Sequence, residues 1–245
     1  MKFQDKLDKV VAKNNSLVCV GLDQGEFKFN KKIIDQTHDL VCAYKPNFAF
    51  YEARGESGWR DLRLTVEYLQ KKYPGIITIA DAKRADIGNT NQGYVKAIFD
   101  ELGFDAVTIN PYFGREALQP FLDRQDKGVI ILCKTSNPGS REFQDGLWQK
   151  VAEHVAKDWN VNKNCLLVVG ATYPEELKQV RQIVGEMTLL VPGIGAQGGD
   201  VAKTVTAGLN SKKSGLIINS SRGIIFSPNP RLEAQKLRDT INQCR

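Results

Sequence analysis

Short aliphatic and β-branched runs recur along the whole chain, at Leu17–Leu22, Val41–Lys45, Ile76–Ala80, Ala106–Asn110, Val129–Cys133, Leu166–Gly170, Leu189–Val191 and Leu216–Asn219. Near-continuous apolar runs of this length predict strands buried on both faces, the habit of parallel sheets. The segments between them change period. Leu62, Val66 and Leu69 follow the second run, and Tyr94, Ile98 and Leu102 the third. Phe143, Leu147, Val151, Val155 and Trp159 fall every fourth residue after the fifth run. Leu177, Val180 and Val184 follow the sixth, and Val201, Val205 and Leu209 the seventh. These spacings predict helices with one apolar stripe. Phe3, Leu7, Val10 and Val11 predict an opening amphipathic helix, and Leu232 and Ile241 a closing one. Thr172-Tyr-Pro174-Glu175 has the form of a capping box.

Strand and helix alternating through eight runs predict an α/β chain with a parallel sheet closed into a (β/α)8 (TIM) barrel. The 245 residues match the usual length of such a barrel and give one domain over residues 1–245, with no linker or low-complexity tract. An open doubly wound sheet is the structural rival, but Gly21-Leu-Asp23-Gln-Gly25 lacks the spacing of a dinucleotide fingerprint.

Composition narrows the setting. No apolar run reaches membrane-span length, and the N-terminal residues lack a signal-peptide core. Five cysteines include no Cys-x-x-Cys pair, and Cys19, Cys42, Cys133 and Cys165 lie in or beside the apolar runs. They are expected as buried thiols of a reducing, cytoplasmic compartment. A net charge of +6 comes with lysine doublets rather than a basic tract, and with no interleaved aromatics. That argues against a nucleic-acid partner and is compatible with steering a small anion. No His, Asp or Glu cluster has metal-ligand spacing, so no metal is expected. His38 and His154 fall within helical stretches, and no Ser–His pair sits at a strand end.

In a barrel the chemistry sits at the C-terminal ends of the strands. Here those ends are polar as a set: Asp23, Lys45, Asp81 with Lys83, Asn110, Lys134-Thr135-Ser136-Asn137, Pro192-Gly-Ile-Gly195-Ala-Gln197-Gly198-Gly199, and Ser220-Ser221-Arg222-Gly223. A single Asp or Lys at a strand end is ordinarily a turn former or a solvated end, but the whole set converges on one rim. The densest stretch is Asp81-Ala-Lys83-Arg84-Ala-Asp86. Side chains two apart on a strand share a face, so Asp81 and Lys83 are expected in the same space. Alternating charges at the mouth of an apolar strand are costly unless they pair or do chemistry. The glycines after the seventh run and Arg222 after the eighth suggest a phosphate site.

Asp81-x-Lys83-x-x-Asp86-Ile87-x-x-Thr90 resembles the signature of the orotidine 5′-phosphate decarboxylase family, in its longer-chain subgroup. Lys134-Thr-Ser-Asn-Pro-Gly139 resembles a second stretch of that family, and the resemblance covers essentially the whole chain. It implies conversion of orotidine 5′-phosphate to UMP and carbon dioxide in pyrimidine synthesis, with no metal and no cofactor. It implies that Asp23 and Lys45 hold the ribose hydroxyls and that Asp81 faces the substrate carboxylate. Lys83 would protonate C6. Asp86, with Ile87 and Thr90, would complete the site of a neighbouring subunit, which implies a homodimer. Ser136 would contact the pyrimidine, Pro192 would form a wall, and Gln197 and Arg222 would reach the phosphate. Ser221 stands before Arg222 where many members carry glycine. Two other functions stay open on the residues: a magnesium-dependent sugar-phosphate decarboxylase or aldolase with the same Asp-x-Lys-x-x-Asp strand, and a binding protein without catalysis.

Overall fold

A computed structural model of the chain describes residues 1–194 and 199–245. Eight parallel strands close a barrel in sequence order: β1 Val18–Gly21, β2 Ala43–Lys45, β3 Ile77–Arg84, β4 Ala106–Ile109, β5 Gly128–Lys134, β6 Cys165–Val169, β7 Leu189–Pro192 and β8 Leu216–Ser220. β1 pairs with both β2 and β8, which closes the ring and leaves no sheet edge. The strands are buried on both faces because side chains fill the barrel on one side and helices cover the other. All eight runs anticipated from sequence are strands.

The helix Phe3–Asn14 lies against the N-terminal end of the barrel. Phe3 packs where Gly128 begins β5, so closely that a Cβ on Gly128 would lie 2.8 Å from the ring. Lys6 Nζ sits 2.6 Å from Asp105, whose other oxygen accepts the Thr78 N–H at the start of β3. That end is thereby tied down, and the opposite rim is left for the loops that follow the strands.

One helix was not anticipated, and three local expectations are revised. A helix at Phe27–Thr37 follows β1; its inward residues include Asn30 and Thr37, so its apolar stripe is broken in sequence. Asn30 is held by Tyr51 and Thr65, and Thr37 by the Tyr44 hydroxyl. The stretch after β5 is two helices, Ser140–Gln144 and Trp148–His154, followed by a π-helical stretch Val155–Trp159. Asp145 is extended and Gly146 has φ +81°, which breaks the four-residue rhythm. Phe143 and Leu147 are consequently exposed, and Trp148 is the buried anchor. The capping box at Thr172 does not form: the helix starts at Pro174, and the Thr172 hydroxyl reaches the Ser136 carbonyl instead. In the closing helix Pro230–Gln243, Ile241 and Ala234 face the core while Leu232 is exposed.

Candidate active site

The end of β3 departs from a regular strand. Between the β3–β4 pairs Ala80–Val107 and Arg84–Ile109, three residues of β3 (Asp81, Ala82, Lys83) stand opposite one residue of β4, Thr108. This bulge bends the strand and sends Lys83 to φ +47°, the left-handed region that costs a non-glycine residue about 1 kcal/mol or more. Asp81 and Lys83 nevertheless meet as expected, with Lys83 Nζ 2.6 Å from Asp81 Oδ1. Lys45, from the end of β2, places its ammonium 2.7 Å from Asp81 Oδ2. One carboxylate thus sits between two ammonium groups.

Burial sharpens this arrangement. The side chains of Asp81 and Lys45 are 9% and 6% exposed, whereas that of Lys83 is 47% exposed. Burial alone would raise the Asp81 pKa, but Lys45 and Lys83 overcome it and hold the carboxyl well below the usual range. Burial alone would lower the Lys45 pKa, but Asp81 and Asp23 hold the ammonium above its ordinary value. The anchored pair is therefore Lys45–Asp81, and Lys83 reaches from it toward open space.

That space is a cavity of about 750 Å³ at the C-terminal end of the barrel. It takes in Asp23, Lys45, Asp81, Lys83, Ser136, Pro192 and Arg222. Asp23 follows β1, and its Oδ1 is buried with no hydrogen-bond partner among the described residues, an acceptor left available for a donor from a ligand. Gly21 is needed beside it: a Cβ there would lie 1.9 Å from Ser221 Oγ and 3.1 Å from Asp23 Oδ2. Ser221 uses space that Gly21 leaves. Arg222 is exposed at the rim, and Gly193 and Ile194 from the loop after β7 line the same cavity.

Ser136 is carried by a tethered loop after β5. Thr135 N–H donates to Gln144 Oε1 at 2.8 Å, and Gln144 Nε2 donates back to the Thr135 hydroxyl at 2.9 Å. Lys134, whose side chain is 0% exposed, turns away from the cavity and puts Nζ 2.5 Å from Asp145 and 4.9 Å from the centre of the Tyr173 ring. The same loop is restrained from β6, because Gly170 packs directly against Ser136.

Asp86, Ile87 and Thr90 do not line this cavity. Asp86 Oδ1 accepts the Ile87 N–H, and the Asp86 N–H is held by Asn91. Gln197 lies outside the described residues. Asn110, one of the polar strand ends, is a turn former whose side chain accepts the Tyr112 N–H. His38 stacks on Tyr73 at 4.2 Å and His154 faces Asp158, both away from the site.

Several lining residues escaped the sequence reading. Thr108 and Asn219 sit inside apolar runs, where a single polar residue looks incidental; Asn219 Oδ1 is buried without a partner among the described residues. Asn47 follows Lys45 by two residues and forms an isolated bridge to Asp81. Phe50 lies in the short helix Phe48–Glu52 and Phe226 just past the helix Arg222–Ile225, neither at a strand end, and Leu132, Val168 and Leu190 make an apolar flank.

A family model described as orotidine 5′-phosphate decarboxylase / HUMPS family matches residues 16–237, from β1 into the closing helix. Orotidine 5′-phosphate decarboxylase of Cellvibrio japonicus (strain Ueda107) is 44% identical, with all of both chains covered. The chain belongs to the orotidine 5′-phosphate decarboxylase family. Among solved structures, Leishmania donovani OMP decarboxylase superposes with a TM-score of 0.94 at 40% identity, over 100% of this chain and 99% of that one. Leishmania donovani UMP synthase gives a TM-score of 0.96 at 42% identity; this chain spans 56% of its length. The family's members in these comparisons thus share the whole barrel with this chain, not only the β3 signature.

Proposed function

We propose that this protein decarboxylates orotidine 5′-phosphate to UMP and carbon dioxide. The observation that carries the reading is the Lys45–Asp81–Lys83 array, buried at one end and open to the cavity at the other. Loss of carbon dioxide from C6 leaves an electron pair on that carbon. A fixed ammonium beside it stabilises the developing charge and then supplies the proton. Lys83, the exposed member of the array, is that group, and it leaves the step as the neutral amine. Asp81 faces the substrate carboxylate, and the electrostatic pressure it exerts is moderated by its two ammonium partners.

Asp23 and Lys45 hold the ribose hydroxyls; the unpartnered Asp23 oxygen supports this. Ser136 contacts the pyrimidine, and Pro192 walls the pocket. Arg222, with Gln197, takes the phosphate, for which a guanidinium is well shaped. Phosphate binding far from C6 supplies energy for closing loops over the base.

The functional unit is a homodimer of single-domain barrels in which Asp86, Ile87 and Thr90 complete the partner's cavity. In support, these residues lie outside the cavity of their own chain, and Ile87 is 60% exposed. Tyr112 and Phe113, which follow neighbouring β4, are also exposed. A fully active monomer on dilution would contradict this. The protein works in the cytoplasm, in keeping with five free cysteines, four of them buried, and with no described helix long and apolar enough to cross a membrane. It has no nucleic-acid partner.

The test is the loss of ultraviolet absorbance of orotidine 5′-phosphate with EDTA present, for the wild type and Lys83→Ala. Turnover that survives the chelator and collapses in the variant is expected. Turnover that appears only with added magnesium and a sugar phosphate would replace this reading with the aldolase one.

A further inference from the structure

Thr108 is 1% exposed, in the middle of β4, and stands alone opposite the three-residue bulge of β3. A bulge takes backbone groups out of the ladder, and each such group needs another partner. The Lys83 N–H finds the Thr108 hydroxyl oxygen at 2.9 Å. The hydroxyl has one proton to give. Asp81 Oδ1 lies 3.1 Å away and the Ala80 carbonyl 3.5 Å away, and the nearer, charged acceptor takes it. The same Asp81 oxygen accepts the Lys83 ammonium. Thr108 therefore closes a ring through the Lys83 backbone, the Lys83 side chain and the Asp81 carboxylate. No other described side chain contacts both the backbone of Lys83 and the Asp81 carboxylate by hydrogen bonding.

We infer that Thr108 is a positioning residue for proton delivery, holding Lys83 in its left-handed conformation and fixing the angle between Asp81 and the Lys83 ammonium. This rests on the decarboxylase reading of the site. It also explains a polar residue in a strand whose flanking positions, Val107 and Ile109, are fully buried and apolar. A hydroxyl that served packing alone would do as well with only its neighbour's carbonyl; this one bridges two members of the charged array.

The test compares Thr108→Val, which keeps the shape and removes the hydroxyl, with Thr108→Ser, which keeps the hydroxyl. Thr108→Cys, whose thiol is a weak donor and acceptor, replaces valine should that variant not fold. Misplacing a reacting group by about 1 Å can cost about a hundredfold. The valine variant is therefore expected to lose roughly 10- to 100-fold in kcat with UMP affinity kept within about threefold, while serine stays within about threefold on both. Amide hydrogen exchange at Lys83 reads the bond without substrate: slow in wild type and serine, fast in valine. A valine variant with near wild-type kcat, or with Lys83 exchange unchanged, overturns the inference. So does a parallel loss of kcat, UMP affinity and Tm, which marks a packing role. A wild type that does not decarboxylate the substrate fails the functional reading instead, and amide exchange then still decides the hydroxyl's bond to Lys83.

Discussion

Gly170 follows β6 with no side chain where the loop bearing Ser136 passes over it. A Cβ placed there would lie 2.8 Å from both Cα and Cβ of Ser136 and 3.0 Å from its backbone nitrogen. Carbon atoms pack at about 3.5–4.0 Å, so Gly170→Ala drives the Ser136 segment back by about 0.7–1.2 Å. The obstacle is backbone rather than a flexible tip. The Thr135–Gln144 bonds and the Lys134–Asp145 pair hold the loop from its other side. Gly170 is not in the left-handed region, so alanine meets no backbone penalty and the effect is purely steric. Overpacking of this kind costs about 1–3 kcal/mol. Each kcal/mol lowers Tm by about 2–4 °C in a chain of this size. A displacement near 1 Å at Ser136, the residue proposed to contact the base, predicts a fall in kcat/KM of up to about a hundredfold. Steady-state absorbance assays with orotidine 5′-phosphate and thermal unfolding measure both. Gly75→Ala is the control, since nothing lies within 4 Å of its Cβ position. Gly170→Ala activity within twofold of wild type would refute the tight seating of Ser136.

The Lys45–Asp81 pair ties stability to pH. The Asp81 carboxyl is depressed, so its contribution is full above the unfolded value of about 4 and drains away as pH falls toward the folded one. The Lys45 ammonium is raised, so its contribution is full below about 10.4 and is lost as pH rises through the folded value. Asp81→Asn leaves a buried ammonium without its carboxylate; it should cost about 3–5 kcal/mol in urea unfolding and flatten the acid limb of the Tm profile, and an unchanged acid limb would contradict the assignment. Asp145→Asn strips the buried Lys134 of its carboxylate and should lose about 1–3 kcal/mol with faster proteolysis at residues 135–147, whereas a wild-type cleavage pattern would show that the pair does not hold the loop. Burial drives the Cys42, Cys133 and Cys165 thiols up to about 12 and raises Cys19 as well. A thiol reagent near neutral pH should therefore find at most the half-buried Cys244 in the native protein and five thiols after unfolding, and rapid native labelling of the others would contradict their burial.

The strands were legible because a parallel barrel buries both faces of every strand, so each writes a solid apolar run into the sequence. The charged ends were legible for the complementary reason: Lys45, Asp81 and Lys83 interrupt those runs abruptly. What escaped depended on three dimensions. The helix after β1 hid because Asn30 and Thr37 face inward, where each bonds a tyrosine hydroxyl. The break at Asp145-Gly146 hid because Phe143 and Leu147 continue an apolar rhythm that the backbone abandons. The bulge at Asp81-Ala82-Lys83 cannot be told from a regular strand by alternation, since it keeps Asp81 and Lys83 together by a different route. Thr108 and Asn219 belong to the cavity only because the barrel closes around them. The roles proposed for Asp86, Ile87 and Thr90 rest on the family resemblance, because they concern a second copy of the chain.

The most direct test of the central claim is decarboxylation of orotidine 5′-phosphate in D2O with EDTA, followed by NMR at C6 of the product. Delivery from the Lys83 ammonium predicts UMP carrying deuterium at C6, formed rapidly by the wild type and not by Lys83→Ala. An absence of UMP from the wild type, or equal rates from the two proteins, would contradict it.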